Sequence, residues 1–301
     1  MWGAARGHAR TDSHGRRSSS AAAMSFPDSG GLSRCPLPTI EETEMPVRTS
    51  APLGAPIWID LATSDLEQAQ RFYGTVFGWT FESAGAEYGG YVTAFLDGRH
   101  VAGLMVNDPQ WGAPDGWTTY LHTADISDTV AKATAAGATS CVAPMEVKDK
   151  GWMGMLSDPT GAFFGLWQPT GHRGFDVVDE HGAPAYHQLT TRDYRAALDF
   201  YREAFGWQTA TVSDSDDFRY STASFDGHDL VGVMDGAGIL GEGVPSDWCF
   251  FLGADDVDKT VQVILDNGGS VVRAAEDTPY GRLAAVADPT GAGFNLSSIG
   301  A

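Results

Sequence analysis

Regular alternation of apolar and polar positions begins at Pro56. Ile57-Trp58-Ile59-Asp60-Leu61-Ala62 reads as a strand, Asp65 stands where a helix N-cap belongs, and the helix it opens should run through about Phe77 to a stop at Gly78. Three short strands are expected next, near 79–82, 90–96 and 100–106, with Asp97-Gly98 as the hairpin turn between the last two. A Pro/Gly loop over 107–116 leads into a second pass, with a strand over 117–123, a helix over about 127–136 stopped by Gly137, and strands near 140–143, 153–157 and 162–167. Each pass is a βαβββ unit. Residues 169–183 are polar and glycine-bearing, a linker, and two further units are expected at 185–235 and 247–298.

The second pair of units copies the first. Phe72-Tyr73-Gly74-Thr75-Val76-Phe77-Gly78-Trp79 returns 128 positions later as Phe200-Tyr201-Arg202-Glu203-Ala204-Phe205-Gly206-Trp207, and Asp65 returns as Asp193. Val101-Ala102-Gly103-Leu104-Met105 matches Leu230-Val231-Gly232-Val233-Met234, and Asp158-Pro159-Thr160-Gly161-Ala162 matches Asp288-Pro289-Thr290-Gly291-Ala292. The chain therefore divides into a disordered extension over 1–52, a domain over 53–168, the linker over 169–183 and a second domain over 184–299.

Charge narrows the choice of partners. After residue 52 there are thirteen basic against thirty-four acidic side chains and no basic stripe, which excludes a nucleic-acid backbone or an anionic membrane surface as partner. The preference for Arg over Lys reflects a GC-rich bacterial genome. Cys35, Cys141 and Cys249 lie too far apart for a zinc knuckle or a redox pair, and this fits a reducing cytoplasm, with Cys141 and Cys249 expected as small core residues. Arg16-Arg17 before Ser-Ser-Ser-Ala-Ala-Ala is similar to a twin-arginine export signal, but the apolar stretch is short and broken by Pro27 and Gly30-Gly31, which weighs against export. Met45, just ahead of the patterned region, offers a later start.

Four βαβββ units in two pairs, each pair opened by Phe-Tyr-x-x-x-Phe-Gly-Trp and closed by Asp-Pro-Thr-Gly-Ala, resemble the vicinal oxygen chelate superfamily, which includes glyoxalase I, extradiol dioxygenases and bleomycin-resistance proteins. The resemblance covers roughly 55–300. It implies an α+β fold of two tandem domains, each curling its strands into a cup with helices outside. In metal-using members it also implies inward-facing His or Glu ligands on the first and last strands of the units. Those positions fall here on Trp58, Gly103, Thr119 and Gly165, then on Tyr186, Gly232, Phe250 and Asn295. None offers an imidazole, carboxylate or thiolate, so no metal or other cofactor is expected.

Period-two alternation instead puts Trp58, Asp60, Ala62, Val101, Met105, Trp117, Thr119, Leu121, Phe163 and Trp167 in the first cup, and Tyr186, Gln188, Thr190, Met234, Trp248, Phe250, Leu252 and Asn295 in the second. Aromatic and Met walls with a few polar tips suit a flat, largely apolar small molecule. The alternative is that the same side chains fill each cup as core. Asp60 is the one carboxylate facing inward, a candidate general base or acceptor of a ligand hydroxyl; its counterpart Gln188 cannot move protons. His100 and His228 follow Asp-Gly turns, and His122 and His187 fall on the helix-facing side, so structural roles are expected for them.

The expected function is metal-independent binding of a hydrophobic or aromatic small molecule, for antibiotic sequestration or as an accessory to aromatic natural-product biosynthesis beside a partner oxygenase. A glyoxalase-like lyase or isomerase, or a dioxygenase, is the enzymatic alternative. A third reading is an oligomerisation module with filled cups, for which a second copy of the chain is the partner.

Overall fold

The computed structural model describes residues 51–216 and 218–299. The extension expected to be disordered lies outside them, except for Ala51 and Pro52, whose carbonyls face Nδ1 of His122 at 2.7 and 3.3 Å.

The four expected units are all present, close to their expected limits. The first comprises β1 (Pro56–Thr63), α1 (Leu66–Phe77), β2 (Thr80–Ser83), β3 (Val92–Leu96) and β4 (Arg99–Val106). The second comprises β5 (Gly116–His122), α2 (Ile126–Ala135), β6 (Thr139–Val147), β7 (Gly151–Ser157) and β8 (Phe163–Pro169). In the second half they recur as β9 (Pro184–Thr191), α3 (Tyr194–Phe205), β10 (Thr209–Asp214), β11 (Arg219–Phe225) and β12 (His228–Asp235), then β13 (Asp247–Ala254), α4 (Val257–Asp266), β14 (Ser270–Thr278), β15 (Gly281–Ala287) and β16 (Gly293–Ser298). All four α-helices among the described residues open on an aspartate, Asp65, Asp125, Asp193 or Asp256, whose side chain accepts from the N–H three residues on. Each such cap is worth about 1 kcal/mol.

The fold is α+β, with one eight-stranded mixed sheet per half, ordered β2-β3-β4-β1-β5-β8-β7-β6 and β10-β11-β12-β9-β13-β16-β15-β14. Two units share each sheet through the antiparallel pairs β1/β5 and β9/β13. Among the described residues no helix is long and apolar enough to cross a membrane.

The helices sit between the halves, and the repeated motifs meet there. Tyr73 on α1 donates to Oδ2 of Asp288 at 3.1 Å and accepts from Trp117 at 3.1 Å. Tyr201 on α3 donates to Oδ2 of Asp158 at 3.1 Å and accepts from Trp248 at 2.9 Å. Trp79 and Trp207, the last residues of the two Phe-Gly-Trp copies, stack on those tyrosines and donate to the carbonyls of Gly182 and Gly54 respectively. Each Asp-Pro-Thr-Gly-Ala aspartate folds its own turn through Oδ1, which accepts from the Thr N–H, the Thr hydroxyl and the Ala N–H, and offers its other oxygen to the opposite half.

Cys141 departs from expectation. It is exposed, because β6 is the outermost strand of its sheet and is solvated along nearly its whole length; Cys249 is half-buried.

Candidate functional site

The face of each sheet turned away from the helices carries the side chains of interest, and the strand ladders fix which they are. In the first half Trp58 pairs with Tyr120, Asp60 with Thr118 on β5 and with Gly103 on β4, Tyr120 with Gly165, and Ala62 with Met105. Neighbouring partners share a face, so this face holds Trp58, Asp60, Met105, Thr118, Tyr120, Phe163, Gly165 and Trp167. Thr119 instead pairs with Ile59, and Trp117 with Leu61, on the helix side. This corrects the expected position of Thr119, Trp117 and Leu121 by one residue, and a one-residue slip reverses a strand's faces.

The same correction applies in the second half. Tyr186 pairs with Phe251, Gln188 with Cys249 and Gly232, and Phe251 with Asn295, whereas Trp248 and Phe250 pair with Leu189 and His187 on the helix side. Trp248 is held there by its bond to Tyr201, and Phe250 packs against Trp117 and His187.

Asp60 is buried, and its Oδ1 accepts from Trp58 Nε1 at 2.8 Å and from the Tyr91 hydroxyl at 2.5 Å. Burial pushes its carboxyl up to about 6, against the opposing pull of Tyr91, Tyr120 and Trp58. Tyr91 and Tyr120 are in turn held well above the usual phenol range by burial and by the nearby carboxylate.

The linker lies over this cluster. Three successive N–H groups, of Thr170, Gly171 and His172, donate to the Lys150 carbonyl, and Trp167 Nε1 donates to His172 O at 2.8 Å. The His172 ring then meets Trp58 edge-on at 4.4 Å, Phe175 packs against the same indole at 5.5 Å, and Asp176 takes both the backbone N–H and Nδ1 of His100. Burial depresses the His172 imidazole to about 4. Trp58 is left 3% exposed and Tyr120 2%.

In the second half Tyr186, Gln188, Thr190, Met234, Cys249 and Asn295 all remain half-exposed. Tyr220 occupies the place of Tyr91, lying over Gly232 and donating to Tyr186 at 3.2 Å and to Gln188 Oε1 at 3.4 Å. Burial raises both phenols, Tyr220 up to about 12, so both remain neutral donors at ordinary pH. The side-chain amide of Gln188 reaches Thr190 and Met234, and that of Asn295 reaches the Phe250 carbonyl.

A metal does not fit the positions at which the family would hold one. A Cβ at Gly103 would lie 1.7 Å from the Tyr91 hydroxyl and 2.2 Å from Asp60 Oδ1, one at Gly165 would meet the Tyr120 ring at 2.2 Å, and one at Gly232 the Tyr220 hydroxyl at 1.9 Å. At three of the eight positions a glycine on which a tyrosine rests thus stands where a ligand would be. Among the described residues no group of three His, Cys, Asp or Glu side chains could hold a metal ion.

Of the residues expected from sequence, the structure packs Trp58 and Trp167 against the linker's His172 with Asp60 buried beside Trp58, puts Met105 and the 45% exposed Phe163 on the same face, and groups Tyr186, Gln188 and Asn295 on the second such face. Tyr91, Tyr120 and Tyr220 were not singled out. The repeat held a signal for two of them, because Tyr91-Val92-Thr93-Ala94 returns as Tyr220-Ser221-Thr222-Ala223.

Comparison with known proteins agrees with this architecture. The profile of the Glyoxalase/Bleomycin resistance protein/Dioxygenase superfamily matches residues 56–166 and 183–296. The chain is 32% identical over 259 residues to CFP32 of Mycobacterium tuberculosis (strain CDC 1551 / Oshkosh), a protein provisionally named a glyoxylase, covering 84% of this chain and 97% of that one. It is 32% identical over 275 residues to the anthracycline biosynthesis protein DnrV of Streptomyces peucetius, covering 82% and 94%. Among solved structures, the Mn(II)-bound glyoxalase from Novosphingobium aromaticivorans superposes with a TM-score of 0.58 at 14% identity over 82% of both chains. The 2,3-dioxygenase LapB from Pseudomonas sp. KL28 gives 0.58 at 16% identity over 83% of this chain and 94% of its own. At these identities the structures speak for the fold alone.

Proposed function

The chain belongs to the Glyoxalase/Bleomycin resistance protein/Dioxygenase superfamily, and on that premise we propose that it binds a flat, largely apolar small molecule on the open face of its second half, without a metal ion. The observation that carries the reading is the contrast between the two faces. Trp58, Asp60 and Tyr120 are buried, Asp60 against Trp58 and Tyr91 and Trp58 also under His172 and Phe175 of the linker, whereas Tyr186, Gln188 and Asn295 bond among their own neighbours and stay partly exposed. The first half then serves as scaffold. The similarity to anthracycline biosynthesis proteins supports a fused-ring aromatic ligand, and with it an accessory role in making, sequestering or presenting such a compound to a partner oxygenase in the cytoplasm. A thermal-shift screen of aromatic polyketides and antibiotics tests this: a concentration-dependent rise in melting temperature supports it, and the absence of any rise across the fused-ring compounds contradicts it.

One observation favours an enzymatic reading instead. Asp60 has the raised carboxyl that a general base near neutrality requires. Its Oδ1 is taken by Trp58 and Tyr91, so it would act only on a substrate that displaces one of these donors. Turnover lost in Asp60→Asn with ligand binding retained would establish that reading.

A further inference from the structure

The same two loops flank the open face in both halves, and they have diverged in opposite directions. In the first half, the loop before β3 and the β6–β7 turn are latched to each other. Lys148 pairs with Glu87 at 2.9 Å, and the Lys150 ammonium lies 5.8 Å from the centre of the Tyr88 ring. With Tyr91 aligned on Tyr220 and Gly151 on Gly281, Gly89 corresponds to Phe218 and Lys150 to Tyr280. The latch side chain is thus replaced by an aromatic ring, and a glycine by another.

Those two rings are placed around Tyr220. Phe218 stacks on it at 5.6 Å with planes 13° apart, and Tyr280 approaches it at 6.3 Å with planes 33° apart. Phe218 remains 40% exposed and Tyr280 59%. Three rings from two separate hairpins therefore gather, Phe218 stacked on Tyr220 and Tyr280 tilted toward it, beside the hydroxyl of Tyr186 and the amide of Gln188 that Tyr220 bonds. Scattered exposed aromatics need no explanation, but two exposed rings gathered on a third that bonds a polar cluster offer faces to a flat partner.

We infer that Phe218 and Tyr280 form a stacking ledge for a planar, fused-ring aromatic ligand. Its carbonyl or hydroxyl edge is received by Tyr186, Tyr220 and Gln188. The inference rests on the proposed use of the second half as the binding site and adds the groups that select planarity. Stacking gives preference for flat rings, and Tyr186, which accepts from Tyr220, can turn its own O–H toward a carbonyl oxygen at the ring edge.

The test uses the full chain and 1,8-dihydroxyanthraquinone as probe, followed by calorimetry and by the probe's own absorbance, which weakens when it stacks. Phe218→Ala and Tyr280→Ala are each expected to weaken binding about five- to tenfold, with Phe218→Leu equally defective because it keeps apolar bulk without a ring face. The absorbance change should fall in step. Wild-type binding that survives both alanine variants unchanged overturns the ledge while leaving the second half as the site. Failure of the wild type to bind any planar probe removes the underlying reading, and the ledge with it.

Discussion

Tyr73 donates its hydroxyl to Asp288 across the two halves at 3.1 Å, and Tyr201 returns the same bond to Asp158 at 3.1 Å. The most repeated residues of the chain are thus used to hold its halves together. Tyr73→Phe takes a donor from the Asp288 carboxylate and the acceptor from Trp117, and should cost about 1–3 kcal/mol in urea unfolding. Tyr201→Phe should cost a similar amount, and the double variant close to their sum, since the two sites share no partner. An unchanged midpoint in both single variants would contradict this.

The Asp60 carboxyl makes stability depend on pH. Its folded value near 6 exceeds an unfolded value of about 3.9, so the native state holds the proton more tightly. Its contribution is fully present below about pH 4, declines as the pH rises through 6 and is lost above, a change of about 2–3 kcal/mol. Asp60→Asn keeps an acceptor for Tyr91 and Trp58 but does not ionise. Wild type measured against it by urea unfolding at pH 4, 5, 6 and 7 should lose relative stability across that window; parallel curves would show that Asp60 titrates normally.

Gly103→Ala should be poorly tolerated, because the new methyl would fall on the Tyr91 hydroxyl and on Asp60. Overpacking of this kind costs about 1–3 kcal/mol. Gly116→Ala, on β5 with nothing within 4 Å of the added carbon, is the control and should change the melting temperature little. Equal effects would mean that the tyrosine does not rest on Gly103.

Metal should have no effect on the folded protein. After passage over chelating resin, re-exposure to Zn, Ni, Mn or Fe(II) is expected to leave the melting temperature unchanged and to bind at well below one equivalent. Stoichiometric binding with a clear shift would place ligands where Gly103, Gly165 and Gly232 leave none.

The helices, their aspartate caps and the strand order within each unit were legible because helical spacing, Asp-Gly turns and the duplication all point the same way. The faces of β5 and β13 were not. Trp117-Thr118-Thr119-Tyr120-Leu121 has no apolar alternation to read, since both sides of the strand are covered, and bulges near Pro56 and Leu252 break the count from the adjoining strands. The covering of Trp58 by His172 and Phe175 was hidden for another reason, in that a polar, glycine-bearing segment carries no periodic mark of where it lies. Cross-pairing of Tyr73 with Asp288 left no trace either, because a duplication puts identical motifs in both halves and pairing within a half would have looked the same.

Calorimetric titration with an anthracycline aglycone, comparing wild type, Gln188→Ala and Asp60→Asn, tests the division of labour between the halves most directly. The account predicts that Gln188→Ala weakens binding about tenfold while Asp60→Asn binds as wild type does, since Asp60 is buried against Trp58 and Tyr91. Binding lost in Asp60→Asn and untouched in Gln188→Ala would move the site to the first half and contradict the reading of the second.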